Sequence, residues 1–99
     1  MATNTELSLI EETLLKHPNK YKVLILNDDY TSMDFVIDIL IRVFHKSYEE
    51  AQNIMLEVHQ KDKGVCGIYT HEIAETKIMQ VHKNARESGF PLRAEMEEV

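Results

Sequence analysis

Tryptophan is absent from this 99-residue chain, and cysteine, proline and glycine occur only once, twice and three times, so little of it is built for cross-links or tight loops. The lone cysteine, Cys66, excludes an internal disulfide and a cysteine-built zinc site, and it agrees with a reducing compartment. With three glycines there is no phosphate-cradling Gly-rich loop, and neither H-E-x-x-H nor G-x-S-x-G occurs. The five histidines are scattered, not paired at metal-ligand spacing, so we expect no metal and no other cofactor. Basic residues are outnumbered by acids, 11 to 17, giving a net charge of −6. Phosphate binding depends on clustered Lys and Arg, so nucleic acid is an unsuitable partner and cationic groups are favoured instead. No apolar run approaches the roughly 20 residues of a membrane span. The start Met1-Ala2-Thr3-Asn4 lacks the basic and apolar blocks of a secretory signal, which leads us to expect a cytosolic protein.

What is present is the composition of an ordinary globular protein, 43% hydrophobic and 28% charged. The length suits one domain that buries roughly 60–70% of its extended-chain surface. We divide it into a flexible N-terminal arm, residues 1–18, and a core domain, residues 19–99. Within the arm Leu7, Ile10 and Leu14 share a helical face, but an isolated helix so short is marginal in water. Tyr21-Lys22-Val23-Leu24-Ile25-Leu26 has an apolar middle without polar alternation, the pattern of a central strand. Asn27-Asp28-Asp29-Tyr30-Thr31 supplies turn chemistry. Met33, Val36, Ile37, Leu40 and Phe44 then fit a helix from about Met33 to His45, with Thr31 or Ser32 as its N-cap.

Ser47 and Glu50 have capping-box spacing and open a second helix, which stops before Gly64. Val65-Cys66-Gly67-Ile68-Tyr69-Thr70 reads as a second strand, with Thr70 placed to cap a third helix that ends at Gly89 and Pro91. Leu92-Arg93-Ala94-Glu95-Met96-Glu97 alternates as a half-exposed strand does. The order β-α-α-β-α-β predicts an α+β sandwich, a three-stranded antiparallel sheet with three helices packed on one face.

Three clusters carry chemistry. In the turn after the first strand, alternate residues Asn27 and Asp29 can point the same way and hold an ammonium group, although such residues also serve turns for local reasons. On the second helix, His59 follows Met55 and Val58 on a largely apolar face, where a packed histidine is the common outcome. Two helices joined at Lys46-Ser47 should run back against each other, bringing Met33 and Val36 near Met55 and Val58. A hydrophobic pocket rimmed by Asn27, Asp29 and His59 follows. The third cluster, His71-Glu72 through Lys77, opens the third helix, and acids there complement the helix dipole without any further role. These residues leave three readings open: a binding module, an α+β interaction domain of a ribosome or other complex, and a small hydrolase using Asp29 and His59.

From Lys20 to the C-terminus the chain resembles ClpS, the bacterial adaptor family of the ClpAP protease. The resemblance lies in Tyr21-Lys22-Val23 with Asn27-Asp28-Asp29-Tyr30-Thr31, Met33-Asp34-Phe35-Val36, Met55 with Val58-His59, Gly64 with Cys66-Gly67, and Ala74-Glu75-Thr76-Lys77. It implies a monomeric, non-enzymatic adaptor that takes N-degron substrates, proteins beginning with Leu, Phe, Tyr or Trp, and passes them to the hexameric ATPase ClpA. By position, Asn27, Asp29 and His59 would bind the substrate α-amino group, and Thr31, Met33, Val36, Met55, Val58 and Leu92 would form the side-chain pocket. Met33 would be the gatekeeper against β-branched first residues. Glu72 and Lys77 would dock on the ClpA N-terminal domain, with the arm acting during hand-off. The chain departs from the family pattern at Ser32, where many members carry Pro.

Overall fold

The computed structural model describes residues 19–99, so the expected arm lies outside the described residues. Strand β1 (Lys20–Leu26) is flanked by β2 (Lys63–Thr70) on one side and β3 (Ala94–Glu98) on the other, both antiparallel to it. Its unalternating middle makes sense in that place, because Val23, Leu24 and Ile25 are all buried. Pairing shifts between Val23, opposite Gly67, and Leu24, opposite Val65, so Cys66 is an extra residue bulged into β2. Its thiol is wholly buried, where loss of water pushes its pKa up to about 12.

Helix α1 (Met33–Arg42) is capped by Ser32, whose Oγ accepts from Phe35 N at 3.2 Å, and it buries Phe35, Val36, Ile39 and Leu40. It ends about a turn sooner than the apolar spacing predicts. Val43 and Phe44 remain buried and so prolong the pattern, but His45 turns left-handed at φ 56° and Lys46 N donates to Leu40 O at 3.1 Å. The Lys77 ammonium donates to Val43 O at 2.6 Å, satisfying a carbonyl that the helix end leaves free.

Helix α2 (Tyr48–Lys61) begins with both bonds of the Ser47–Glu50 capping box and stops at Asp62, which is left-handed at φ 69°. Gly64 lets β2 pass close beneath it, since a Cβ there would meet Val58 Cγ2 at 2.6 Å and Ile54 O at 3.0 Å. Helix α3 (His71–Ser88) crosses all three strands, burying Ala74, Val81 and Ala85, while α2 lies on β2 and α1 packs on α2. Thr70 stands at its N-cap position but makes no side-chain cap bond, contrary to the expectation from sequence. Gly89, at φ 78°, closes the helix with Phe90 N bonded to Ala85 O at 2.8 Å. The last strand starts at Ala94 rather than Leu92, and Leu92 instead lines the site.

Candidate functional site

The site grows from the place where β1 stops. Leu26 N donates to Arg93 O at 3.0 Å, and Asn27 N donates to Asp62 O at 2.9 Å. The first bond ties the strand end to the segment before β3, and the second ties it to the end of α2. The next turn is organised by one carboxylate: Asp28 Oδ1 accepts from Tyr30 N at 2.8 Å and Thr31 N at 2.6 Å, while Oδ2 accepts from Thr31 Oγ1 at 2.7 Å. Partial burial alone would raise the pKa of Asp28, but the bonds from Thr31 and Tyr30 outweigh it and hold the carboxyl below its ordinary range. The loop therefore delivers the chain to the Ser32 cap and to Met33 in a fixed conformation.

Between this loop, the start of α1, the end of α2 and the segment before β3 lies a cavity of about 270 Å³. That is slightly under the roughly 300–1,000 Å³ of sites for drug-sized ligands, and suits one large side chain with its amino group. The structure brings Asn27, Asp29 and His59 together with Thr31, Met33, Val36, Met55, Val58 and Leu92 around it; Leu26 and Asp28 complete the lining. Its depth is apolar, with Val36, Val58 and Leu92 at 7%, 5% and 3% exposure. Its rim is polar and accessible, since Asn27, Asp29 and His59 are exposed. Met33, 60% exposed, stands at the mouth. Among the described residues, the side chains of Asn27, Asp29 and His59 have no hydrogen-bond partner, whereas Asp28 is fully engaged.

This arrangement can receive an apolar side chain below and a cationic donor above. It offers little for hydrolysis: Thr31 Oγ1 already donates to Asp28, Asp29 and His59 are not hydrogen-bonded to each other, and the Cys66 thiol is buried and high in pKa. Among the described residues no group of three His, Cys, Asp or Glu side chains could hold a metal ion. No helix among them is long and apolar enough to cross a membrane. Reading the sequence for ligand contacts passed over Asp28, because its role is to shape the loop; the signal available was an Asp three residues before a Thr, the spacing of a side-chain-closed turn.

Glu72 and Lys77 lie outside the cavity. Glu72 is exposed in the first turn of α3, and Lys77 is half-buried, with its ammonium 5.8 Å from the Tyr69 ring centroid as well as bonded to Val43.

Comparison with known proteins gives a consistent result. The family described as ATP-dependent Clp protease adaptor protein ClpS matches residues 16–95. The ATP-dependent Clp protease adapter protein ClpS of Oleidesulfovibrio alaskensis is 54% identical over 99 residues, covering 100% of this chain and 95% of the relative. That of Acetivibrio thermocellus is 60% identical over 82 residues, 83% of each chain. Among solved structures, Agrobacterium tumefaciens ClpS2 bound to L-phenylalaninamide superimposes with a TM-score of 0.81 at 36% identity, covering 84% of this chain and 100% of that one.

Proposed function

The chain belongs to the ClpS family of ATP-dependent Clp protease adaptor proteins, and from that premise we propose that it binds proteins by a free α-amino group and a bulky first side chain. The bound N-degron substrate would then be delivered to ClpA for degradation by ClpAP. The observation that carries this reading is that one cavity combines an apolar floor of Val36, Val58 and Leu92 with a polar rim of Asn27, Asp29 and His59. An α-amino group, with a pKa of about 7.7–8.0, is largely protonated at neutral pH and presents three donors. One carboxylate and two neutral acceptors match those donors in number and charge. Charge-assisted hydrogen bonds contribute about 1.5–3 kcal/mol each and burial of a Leu or Phe side chain about 1.5–3 kcal/mol more, before the cost of association.

L-Phenylalaninamide, bound by the A. tumefaciens relative, has this combination: a free amino group, an aromatic side chain and a capped carboxyl. Met33 at the mouth excludes first residues branched at Cβ. The protein acts as a cytosolic monomer without catalysis of its own, docking on the ClpA N-terminal domain through Glu72 and Lys77, with residues 1–18 engaging the ATPase during hand-off. The Lys77 ammonium gives one donor to Val43 O, while the exposed carboxylate of Glu72 is open to a docking partner.

Fluorescence anisotropy with Leu-, Phe-, Ile- and acetyl-Leu-initiated peptides, followed by mass spectrometry of the recovered ligand, tests the reading. Binding of the first two, weak binding of the third, none of the fourth and an unchanged ligand are expected. Equal binding of all four would instead indicate a general interaction domain, and a cleaved ligand would indicate a hydrolase.

A further inference from the structure

Leu92 is a wall of two cavities. On one side it closes the peptide site, and on the other it borders a second hollow of about 390 Å³ whose lining includes His82, Arg86, Phe90 and Arg93. The short segment that carries it, between α3 and β3, is neither helix nor strand, so its position depends on the bonds that hold it. One of these is the Leu26 N donation to Arg93 O, at the base of the Asn27 loop. Phe90 N, bonded to Ala85 O at 2.8 Å, supplies another, and a third is at Ala94. Among the described residues strand β3 lies at the sheet edge with β1 as its neighbour, and Ala94 N donates to His82 Nε2 of α3 at 3.0 Å.

Only a neutral imidazole with its proton on Nδ1 can accept that bond. The surroundings favour the neutral ring: burial lowers its pKa, the positive charges of Arg93 and Arg86 act in the same direction, and together they outweigh the opposing effect of the Ala94 backbone. The hollows beside the ring contain Arg86 and Lys83 from α3 and Arg93 from the connecting segment, with no carboxylate among the described residues of either lining. Strand β3 turns Ala94 and Met96 toward the helices, while Glu95 and Glu97 pair with Lys63 on the open face. Strand β1 faces α3 with Tyr21, Val23 and Ile25. A protonated His82 would therefore lose its backbone donor and gain no anion in exchange.

We propose that His82 is a positioning residue of the peptide site: as a neutral acceptor it fixes Ala94 and so seats Leu92 as the cavity wall, and its protonation loosens that wall and weakens the grip on the first side chain. The inference rests on the peptide-binding reading given above. Leaving one backbone donor unpaired should weaken binding about three- to tenfold.

The test compares wild type with His82→Gln, whose amide oxygen reaches the place of Nε2 at every pH, and His82→Leu, which removes the acceptor. Affinity for a Phe-initiated peptide is measured from pH 7.5 down through the point at which the His82 ring protonates, read from its own NMR resonances, and the Leu92 methyl resonances of the free protein are followed through the same range. Every other titrating group is common to wild type and His82→Gln. We expect His82→Gln to bind like wild type at pH 7.5 and to lose less affinity in acid, His82→Leu to be weaker already at pH 7.5, and the Leu92 methyls of wild type to follow the titration of His82. Parallel pH profiles for wild type and His82→Gln, or Leu92 methyls indifferent to His82 in a protein that does bind the peptide, would overturn the role of His82 alone. A wild-type protein that binds no peptide would overturn the adaptor reading, and the role of His82 in binding with it.

Discussion

Replacing Asp28 with Ala removes the acceptor of three bonds, from Tyr30 N, Thr31 N and Thr31 Oγ1, without deleting any group assigned to the ligand. Summing three charge-assisted bonds at about 1.5–3 kcal/mol each would overstate the damage, because the side chain is only half-buried and water can replace it. The loss of a helix N-cap, about 1–2 kcal/mol, is the better measure. If the freed loop must be reordered when a peptide binds, the same free energy reappears as about 5- to 30-fold weaker affinity. Asp28→Asn keeps an oxygen for both backbone donors and can donate to Thr31 Oγ1, so we expect it to lose less than about threefold. The acid limb gives an independent check. The folded carboxyl titrates below its unfolded value of about 3.9, so its stabilisation is complete above that pH and is lost as the pH falls through the folded value. Urea denaturation should therefore separate wild type from Asp28→Ala at pH 7 and bring them together in strong acid. Peptide anisotropy with unchanged affinity for Asp28→Ala would refute the loop argument. Equal damage from Asn and Ala would show that the charge of Asp28 acts on the ligand directly.

Met33→Ala should open the mouth of the cavity and raise affinity for Ile- and Val-initiated peptides relative to Leu, read by competition anisotropy; unchanged discrimination would remove its gatekeeper role. Gly64→Ala places a methyl 2.6 Å from Val58 Cγ2 and should lower stability by about 1–3 kcal/mol, seen as a drop in Tm. Cys66, wholly buried with its pKa near 12, should resist iodoacetamide at pH 8 until the protein unfolds; rapid native labelling would contradict its placement in the core.

Local signals were legible in the chain wherever local chemistry decided the outcome. The Ser47–Glu50 box, the unalternating β1 and the Gly89 stop each occupy the position their residues specify. The signals misled where tertiary contacts decided. Val43 and Phe44 continue the apolar spacing of α1 after its backbone has turned away, because the core buries them regardless. Leu92 fits a strand by alternation, yet it packs as a cavity wall and β3 begins two residues later. Thr70 has the right residue type and position for a cap but makes no cap bond. The grouping of Met33, Val36, Met55 and Val58 could be deduced from two helices running back on each other; adding Leu92, far along the chain, required the family resemblance. Nothing local marked His82, whose partner is a backbone N–H twelve residues away.

The two adjacent acids after β1 divide one task. A pair of free carboxylates at neighbouring positions would repel each other and bind water strongly, which opposes the desolvation that a buried amine contact needs. Here the charge of Asp28 is answered within the loop by two backbone donors and a hydroxyl. Asp29 is exposed at the rim, and among the described residues nothing bonds its carboxylate. Its neighbour thus serves as scaffold, and the rim offers Asp29 as an uncommitted negative charge, held by bonds that do not have to break when an ammonium arrives. Preorganisation of this kind lowers the ordering cost of binding without adding a contact, so, under the proposed function, a cavity of about 270 Å³ would hold a chain end by a single residue.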